Sequence, residues 1–216
     1  MSLSRSRSRR RLVWPLLLVV VLATVLAWLP WFWQPQGDGS AASVHRRLDL
    51  ADVPTGGDFE LRGQDGPVAL EDFRGKVVLL YFGYTWCPDI CPTNLAIIAY
   101  ALKQLTPAER EQVQVLFVSV DPERDTPERL AEYAAYFDPG ILGITGSEAQ
   151  LAATAARYGA AYRRIEQSDS AMGYLVDHSA FTYLIDQQGR LVETLPHATP
   201  GEDIIAAVRR LLRAGR

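Results

Sequence analysis

The chain has 216 residues, room for one domain of about 160 residues beyond a non-globular N-terminal stretch, enough to bury a core without disulfides. Its formal net charge of −3 hides an asymmetry, because Arg5, Arg7, Arg9, Arg10 and Arg11 carry +5 before any acidic residue and leave −8 on the rest. That balance argues against a nucleic-acid surface. Two cysteines four residues apart exclude a disulfide scaffold and a four-cysteine zinc site.

Leu12 to Trp33 contains 22 residues without a charge, a helix of roughly 33 Å, and predicts one transmembrane anchor. The arginines precede it, so residues 1–11 stay in the cytoplasm and everything after Trp33 crosses the membrane. Trp28, Trp31, Phe32 and Trp33 suit the far interface. A cleaved signal peptide, with Ser40-Ala41-Ala42 as its processing site, is the competing reading, but its apolar region would run about 7 to 15 residues. The 11 residues ahead of Leu12 are short for a mitochondrial transit peptide, which favours a bacterial inner membrane, single-pass, with the C-terminal domain in the periplasm. Residues 34–55, rich in Gly, Ser, Ala and Pro, read as a tether to a domain spanning 56–216.

That domain opens with a short strand signal at Phe59–Leu61, a hairpin-like turn in GQDGPVAL, and a strand from Val77 to Phe82 apolar on both faces. A helix from about Pro92 to Leu105 and a second buried strand, Val113 to Val120, complete a parallel crossover. Asp125-Thr126-Pro127-Glu128 opens another helix, with a capping residue and an early proline. A helix at Ser147–Tyr158, strands at Phe181–Ile185 and Leu191–Thr194 around the turn Asp186-Gln187-Gln188-Gly189, and a helix at Gly201–Leu212 close the chain. Strand, helix, parallel strand, then a β-hairpin and a helix is the α/β plan of the thioredoxin-like fold, a central mixed sheet flanked by helices.

The chemistry concentrates in the segment Phe82 to Pro92, FGYTWCPDICP, which leaves a buried strand and enters a helix. Both Cys87 and Cys91 lie at the strand's carboxyl end, the edge where open α/β sheets bind ligands. Four residues is about one helical turn, so both sulfurs reach one side and can share an ion or oxidise together. A helix N-terminus favours the thiolate, which is both nucleophile and metal ligand. The spacing alone also permits a structural disulfide or two inert core thiols. His178, in a loop just ahead of the strand Phe181–Ile185, is a third candidate ligand, although a histidine beside an aspartate is more commonly a hydrogen-bonded or surface residue. Two thiolates and one imidazole suit Cu(I) and also hold Cu(II), whereas structural zinc takes four protein ligands. Asp121, at the end of the second buried strand, either faces this site or belongs to a helix-capping turn. His45 and His197 read as solvated. A peroxidase reading would want a cationic partner for one thiol, and the nearby loop offers only Asp89.

Taken together, FGYTWCPDICPTNL, VSVDPERDTPERL, FDPGILGITG and VDHSAFTYLID resemble the Sco/SenC family of copper chaperones for cytochrome c oxidase assembly, from about Gly57 to Leu212. The resemblance implies a thioredoxin-like domain on one membrane anchor that binds one copper per chain through Cys87, Cys91 and His178. It implies cytochrome c oxidase subunit II as partner, with a periplasmic copper donor and a thiol reductant. The cargo is copper itself or, in the enzymatic alternative, electrons delivered by a redox-active Cys87–Cys91 pair to the subunit's own cysteines. Trp86 departs from the many family members that carry His there, which alters the rim of the site and not its ligands.

Overall fold

Val77–Gly83 forms β3, buried along all seven residues, and explains the order of everything around it. A strand without a polar face must be covered on both sides and paired at both edges. In the computed structural model, which describes Thr24 and residues 54–166 and 173–215, β3 is the centre of a five-stranded sheet. On one edge it pairs in parallel with β4 (Val113–Ser119), which pairs in parallel with β5 (Ile141–Ile144). On the other it pairs antiparallel with β8 (Thr182–Ile185), which carries β9 (Leu191–Leu195) at the outer edge. The spatial order is β5-β4-β3-β8-β9, the mixed sheet expected from the sequence.

Helix α1 (Ile90–Lys103) follows β3, the short α2 (Pro107–Glu111) leads into β4, and α3 (Pro127–Phe137) crosses from β4 to β5. Thr126 caps α3, its hydroxyl accepting the Arg129 N–H, with Pro127 at the first helical position where no hydrogen bond is lost. Helix α4 (Glu148–Tyr158) has Ser147 as cap and ends on Gly159 at φ 65°, a left-handed conformation that glycine takes without strain. Helix α5 (Gly201–Ala214) closes the chain and packs against α1.

The two sheet faces differ. On one, Tyr158 of α4 meets Phe59, Phe82 and Tyr183 with ring centroids 5.7–6.2 Å apart, and its hydroxyl donates to the Gly57 carbonyl at 2.9 Å. On the other, α1 is tied to the sheet through Asn94, whose side-chain amide donates to Thr182 Oγ1 at 2.9 Å. Tyr81 stacks on Phe117 there, and Phe117 meets Tyr133 of α3.

Two hairpins sit outside the sheet. The first, β1 (Glu60–Gly63) with β2 (Gly66–Ala69), is held to the end of β5 by reciprocal backbone bonds between Arg62 and Thr145 at 2.7 and 2.9 Å. The second, β6 (Tyr162–Glu166) with β7 (Tyr174–His178), is absent from the sequence expectations. The expected loop carrying His178 is therefore a strand, and His178 is its last residue. The expected anchor at Leu12–Trp33 and most of the expected tether lie outside the described residues. Among the described residues, no helix is long and apolar enough to cross a membrane.

Gly143 in the middle of β5 fixes the seat of α3, because a Cβ there would stand 2.5 Å from the Leu130 carbonyl oxygen and 2.8 Å from its Cβ. Backbone cannot rotate aside as a side chain can. Gly143→Ala is expected to lower stability by about 1–3 kcal/mol, read as a lower urea midpoint with unchanged slope.

Candidate metal centre

The loop between β3 and α1 is held from below by a carboxylate without solvent access. Asp125, 0% exposed, accepts the Thr85 backbone N–H at 2.8 Å, the Thr85 hydroxyl at 2.6 Å and the Ser119 hydroxyl at 2.6 Å. Arg129 adds an ion pair at 3.7 Å and donates to Thr85 Oγ1 at 2.8 Å. A buried carboxylate survives only with its lone pairs so satisfied, and the effect here is to pin the start of the Cys loop to the end of β4. The sequence alone suggests a helix opening at Asp125, whereas in the structure Thr126 does the capping and Asp125 faces inward.

Above this pin the Cys87 N–H donates to the Tyr84 carbonyl at 3.3 Å, and the Cys91 N–H points at Cys87 Sγ at 3.5 Å. Cys91 lies in the first turn of α1, one residue inside its start, where unsatisfied N–H groups and the helix dipole favour negative charge. Gly83, the last residue of β3, makes room for it. A Cβ on Gly83 would approach Cys91 Sγ to 2.7 Å and the Phe117 ring to 2.8 Å.

The third side chain arrives from β7. His178 Nε2 is 3.2 Å from Cys91 Sγ, and Nδ1 is 3.2 Å from the Ser179 carbonyl. A carbonyl only accepts, so Nδ1 carries the hydrogen in that bond and Nε2 is the nitrogen left facing sulfur. Tyr84 and Tyr81 stand edge-on to the imidazole, at 5.7 and 6.4 Å between centroids. Ser179 ties the base of the hairpin, its N–H donating to the Ala161 carbonyl at 2.8 Å and its hydroxyl accepting the Ala161 N–H at 2.9 Å.

Cys87, Cys91 and His178 thus offer donor atoms that all lie within 4.8 Å of one another, at exposures of 8%, 0% and 9%. Both thiols are free. They are not equivalent. The Cys91 side chain hydrogen-bonds Cys87 and holds its thiol below the ordinary range, assisted by the backbone N–H groups of Asp89 and Cys91. Burial, followed by the neighbouring Cys87 sulfur, pushes Cys91 up. Tyr81 and Tyr133 lie close to the two sulfurs, the Tyr81 hydroxyl towards Cys91.

Asp121 is buried but does not face the sulfurs. It accepts the Tyr174 hydroxyl at 2.7 Å and pairs with Arg124 Nε at 2.5 Å, so it holds the strand that ends in His178. His197 is exposed, and His45 lies outside the described residues. No sequence signal pointed to Tyr174 or Arg124.

A sequence profile of the SCO1/SenC family matches residues 49–213. The chain belongs to this family. An SCO2-like protein of Rickettsia felis is 40% identical over 144 residues, covering 65% of this chain and 69% of that protein. Among solved structures, Bradyrhizobium japonicum ScoI with copper bound superposes with a TM-score of 0.66 at 37% identity, covering 73% of this chain and 99% of that one. BsSco, described as a member of the Sco family of cytochrome c oxidase assembly proteins with a disulfide switch, gives a TM-score of 0.56 at 27% identity over 76% and 97%. Among the described residues the donor set of two sulfurs and one imidazole nitrogen is soft, nearly dry and without a fourth protein ligand, which fits a thiophilic ion such as copper.

Because Asp125 is the pin of the Cys loop, Asp125→Ala is expected to destabilise the domain by about 2–4 kcal/mol in urea unfolding, leaving the Ser119 hydroxyl buried and the half-buried Thr85 donors without their carboxylate. In the native protein iodoacetamide modifies Cys87 before Cys91, as peptide mass spectrometry will show. In Asp125→Ala that order narrows, since the loop no longer shields Cys91.

Proposed function

We propose that this protein is a copper metallochaperone that serves assembly of the binuclear copper site of cytochrome c oxidase subunit II. The observation that carries the reading is the convergence of Cys87, Cys91 and His178 within 4.8 Å at a nearly closed site. Copper is the cargo, one ion per chain. Two thiolates match the preference of Cu(I) for soft ligands, and the imidazole extends the set to Cu(II). The copper-bound ScoI relative and the oxidase-assembly relative support both halves of this reading.

The chain's own residues prepare binding and release. Cys87 ionises readily at the rim and receives the ion, Cys91 yields its proton as the second sulfur engages, and His178 Nε2 supplies the third donor. With three protein ligands one position stays open, and an acceptor thiolate entering there displaces the donors one at a time. We place the domain of residues 56–216 in the bacterial periplasm, tethered by residues 34–55 to a single-pass anchor at Leu12–Trp33 with residues 1–11 in the cytoplasm. That compartment oxidises thiols, so a copper donor and a reductant that keeps Cys87 and Cys91 reduced both belong to the cycle.

The unequal thiols favour a second reading, a thiol:disulfide oxidoreductase. Cys87 thiolate attacks one sulfur of a disulfide in the oxidase subunit and expels the other as a thiolate. Cys91 then attacks Cys87 Sγ, releasing the second subunit thiol and leaving a Cys87–Cys91 disulfide, so the subunit gains two electrons and this chain loses them.

Anaerobic copper titration of the reduced full-length chain in detergent separates the readings. The first expects one copper per chain with thiolate-to-copper absorption, none in the Cys87→Ser/Cys91→Ser double variant, and affinity at least about tenfold weaker in His178→Ala. Copper retention unchanged in His178→Ala contradicts the three-ligand site. Failure to retain copper, with a mixed disulfide to subunit II trapped in Cys91→Ser, favours the reductase.

A further inference from the structure

Arg124 touches both segments that carry the donor atoms although it belongs to neither. Its Nε donates to Asp121 Oδ2 at 2.5 Å, and its Nη1 donates to the Tyr174 carbonyl at 3.1 Å. Its guanidinium lies 3.6 Å from the centroid of the Tyr174 ring, 5.5 Å from that of Trp86 and 5.7 Å from that of Tyr84. Tyr84 and Trp86 lead directly into Cys87 in the Cys loop. Tyr174 opens β7, four residues before His178, and the burial along that strand turns Tyr174, Val176 and His178 to the same inward side.

Tyr174 is consequently held in three ways: by its hydroxyl on Asp121, by its carbonyl on Arg124, and by its ring, which also has Arg164 at 3.6 Å from its centroid. Two guanidiniums so close to one centroid occupy opposite faces of the ring. Arg164 is fixed in turn by Glu123 at 2.8 Å and Glu166 at 2.7 Å. β7 is thus gripped at Tyr174, its first residue, roughly 13 Å along the strand from His178 at its other end, which limits how far the ribbon can swing the imidazole from the sulfurs.

We propose that Arg124 is a positioning residue of the metal centre: by bridging the Cys loop and β7 it fixes His178 against the two sulfurs and so sets how readily copper is released. The proposal rests on the metallochaperone reading for its consequence, while the positioning itself concerns the protein alone. A planar fork is required, because one group must bond a carboxylate and a carbonyl while stacking on a ring. A lysine ammonium carries the charge but cannot do all three. Arg129 is the control. It lies 5.2 Å from the same Trp86 ring and bonds Thr85, yet it makes no hydrogen bond or ring contact to β7 among the described residues.

The test compares full-length wild type with Arg124→Lys, Tyr174→Leu and Arg129→Lys. Three signals are followed: the His178 ring nitrogens by NMR in the copper-free protein, nitrogen hyperfine coupling in the Cu(II) EPR spectrum, and the rate of Cu(I) loss to bathocuproine disulfonate. Arg124→Lys and Tyr174→Leu are expected to broaden or shift the ring signals, weaken the nitrogen coupling and speed copper loss about tenfold. Arg129→Lys can loosen the Cys loop but touches nothing on β7 among the described residues, so it should leave the His178 ring signals as in wild type. Ring signals and release rates that match wild type in Arg124→Lys and Tyr174→Leu overturn the proposal, as does an equal effect of Arg129→Lys on the His178 ring signals. Should Arg124→Lys fail to fold, Tyr174→Leu decides alone, since it leaves Arg124 intact. A wild type that binds no copper removes the metallochaperone reading, and the NMR arm still decides the positioning.

Discussion

Three donor atoms from two distant parts of the chain meet only if each segment is fixed by something other than the metal, and in this protein the fixing is done by buried carboxylates. Asp125 holds the Cys loop through three short hydrogen bonds, and Asp121 holds β7 through Tyr174 and Arg124. Both acids sit at the carboxyl end of β4, in the segment Asp121–Asp125 that links the strand to α3. A single strand end therefore registers both halves of the centre. Burying two carboxylates is costly in isolation and tolerable here because the available lone pairs meet N–H, O–H or guanidinium donors. The gain is a site whose geometry precedes its ligand, so that binding spends little on ordering the protein.

That preorganisation has two unequal sides. The Cys loop is anchored to the sheet and continues directly into α1, so Cys91 rides on a helix tied to β8 through Asn94 and Thr182. His178 instead rides on a two-stranded ribbon outside the main sheet, held by its base at Ser179 and by Tyr174. A two-stranded hairpin has little stability of its own. Its position depends on the aromatic and ionic contacts along one edge, so the imidazole is held by way of Tyr174, Asp121 and Arg124, whereas the Cys91 sulfur is held by α1 and the main sheet.

How much of this was legible beforehand follows from what each feature needs. The β3–α1 junction was readable because an all-apolar run and a proline-marked helix start are local signals, and the cysteines lie between them. The helix begins at Ile90 and not near Pro92, which puts Cys91 inside the first turn. Strand β5 has four residues and a glycine, and β6 reads Tyr-Arg-Arg-Ile-Glu with its charges in water, so neither shows a hydrophobic period. His178 stands out only through the resemblance of whole motif blocks, because an imidazole that meets a sulfur 87 residues away leaves no local trace. Arg124 and Tyr174 left none either: their contact spans 50 residues and joins a turn to a strand that the periodicity does not show.

On the metallochaperone reading, the same asymmetry orders the events of transfer. Cys87 is the sulfur nearer solvent and the readier thiolate, so an incoming thiolate meets it first, beside the half-exposed Trp86 ring that the Arg124 and Arg129 guanidiniums flank. Cys91, fully buried and reluctant to remain charged without a positive partner, gains from recovering a proton once the ion has moved outward. Nε2 of His178 stands 3.2 Å away, where it can exchange a hydrogen bond with that thiol, so loss of the ion leaves no donor atom stranded without a partner. On that reading the empty centre keeps its donor atoms hydrogen-bonded, which favours a carrier that has to give up its cargo.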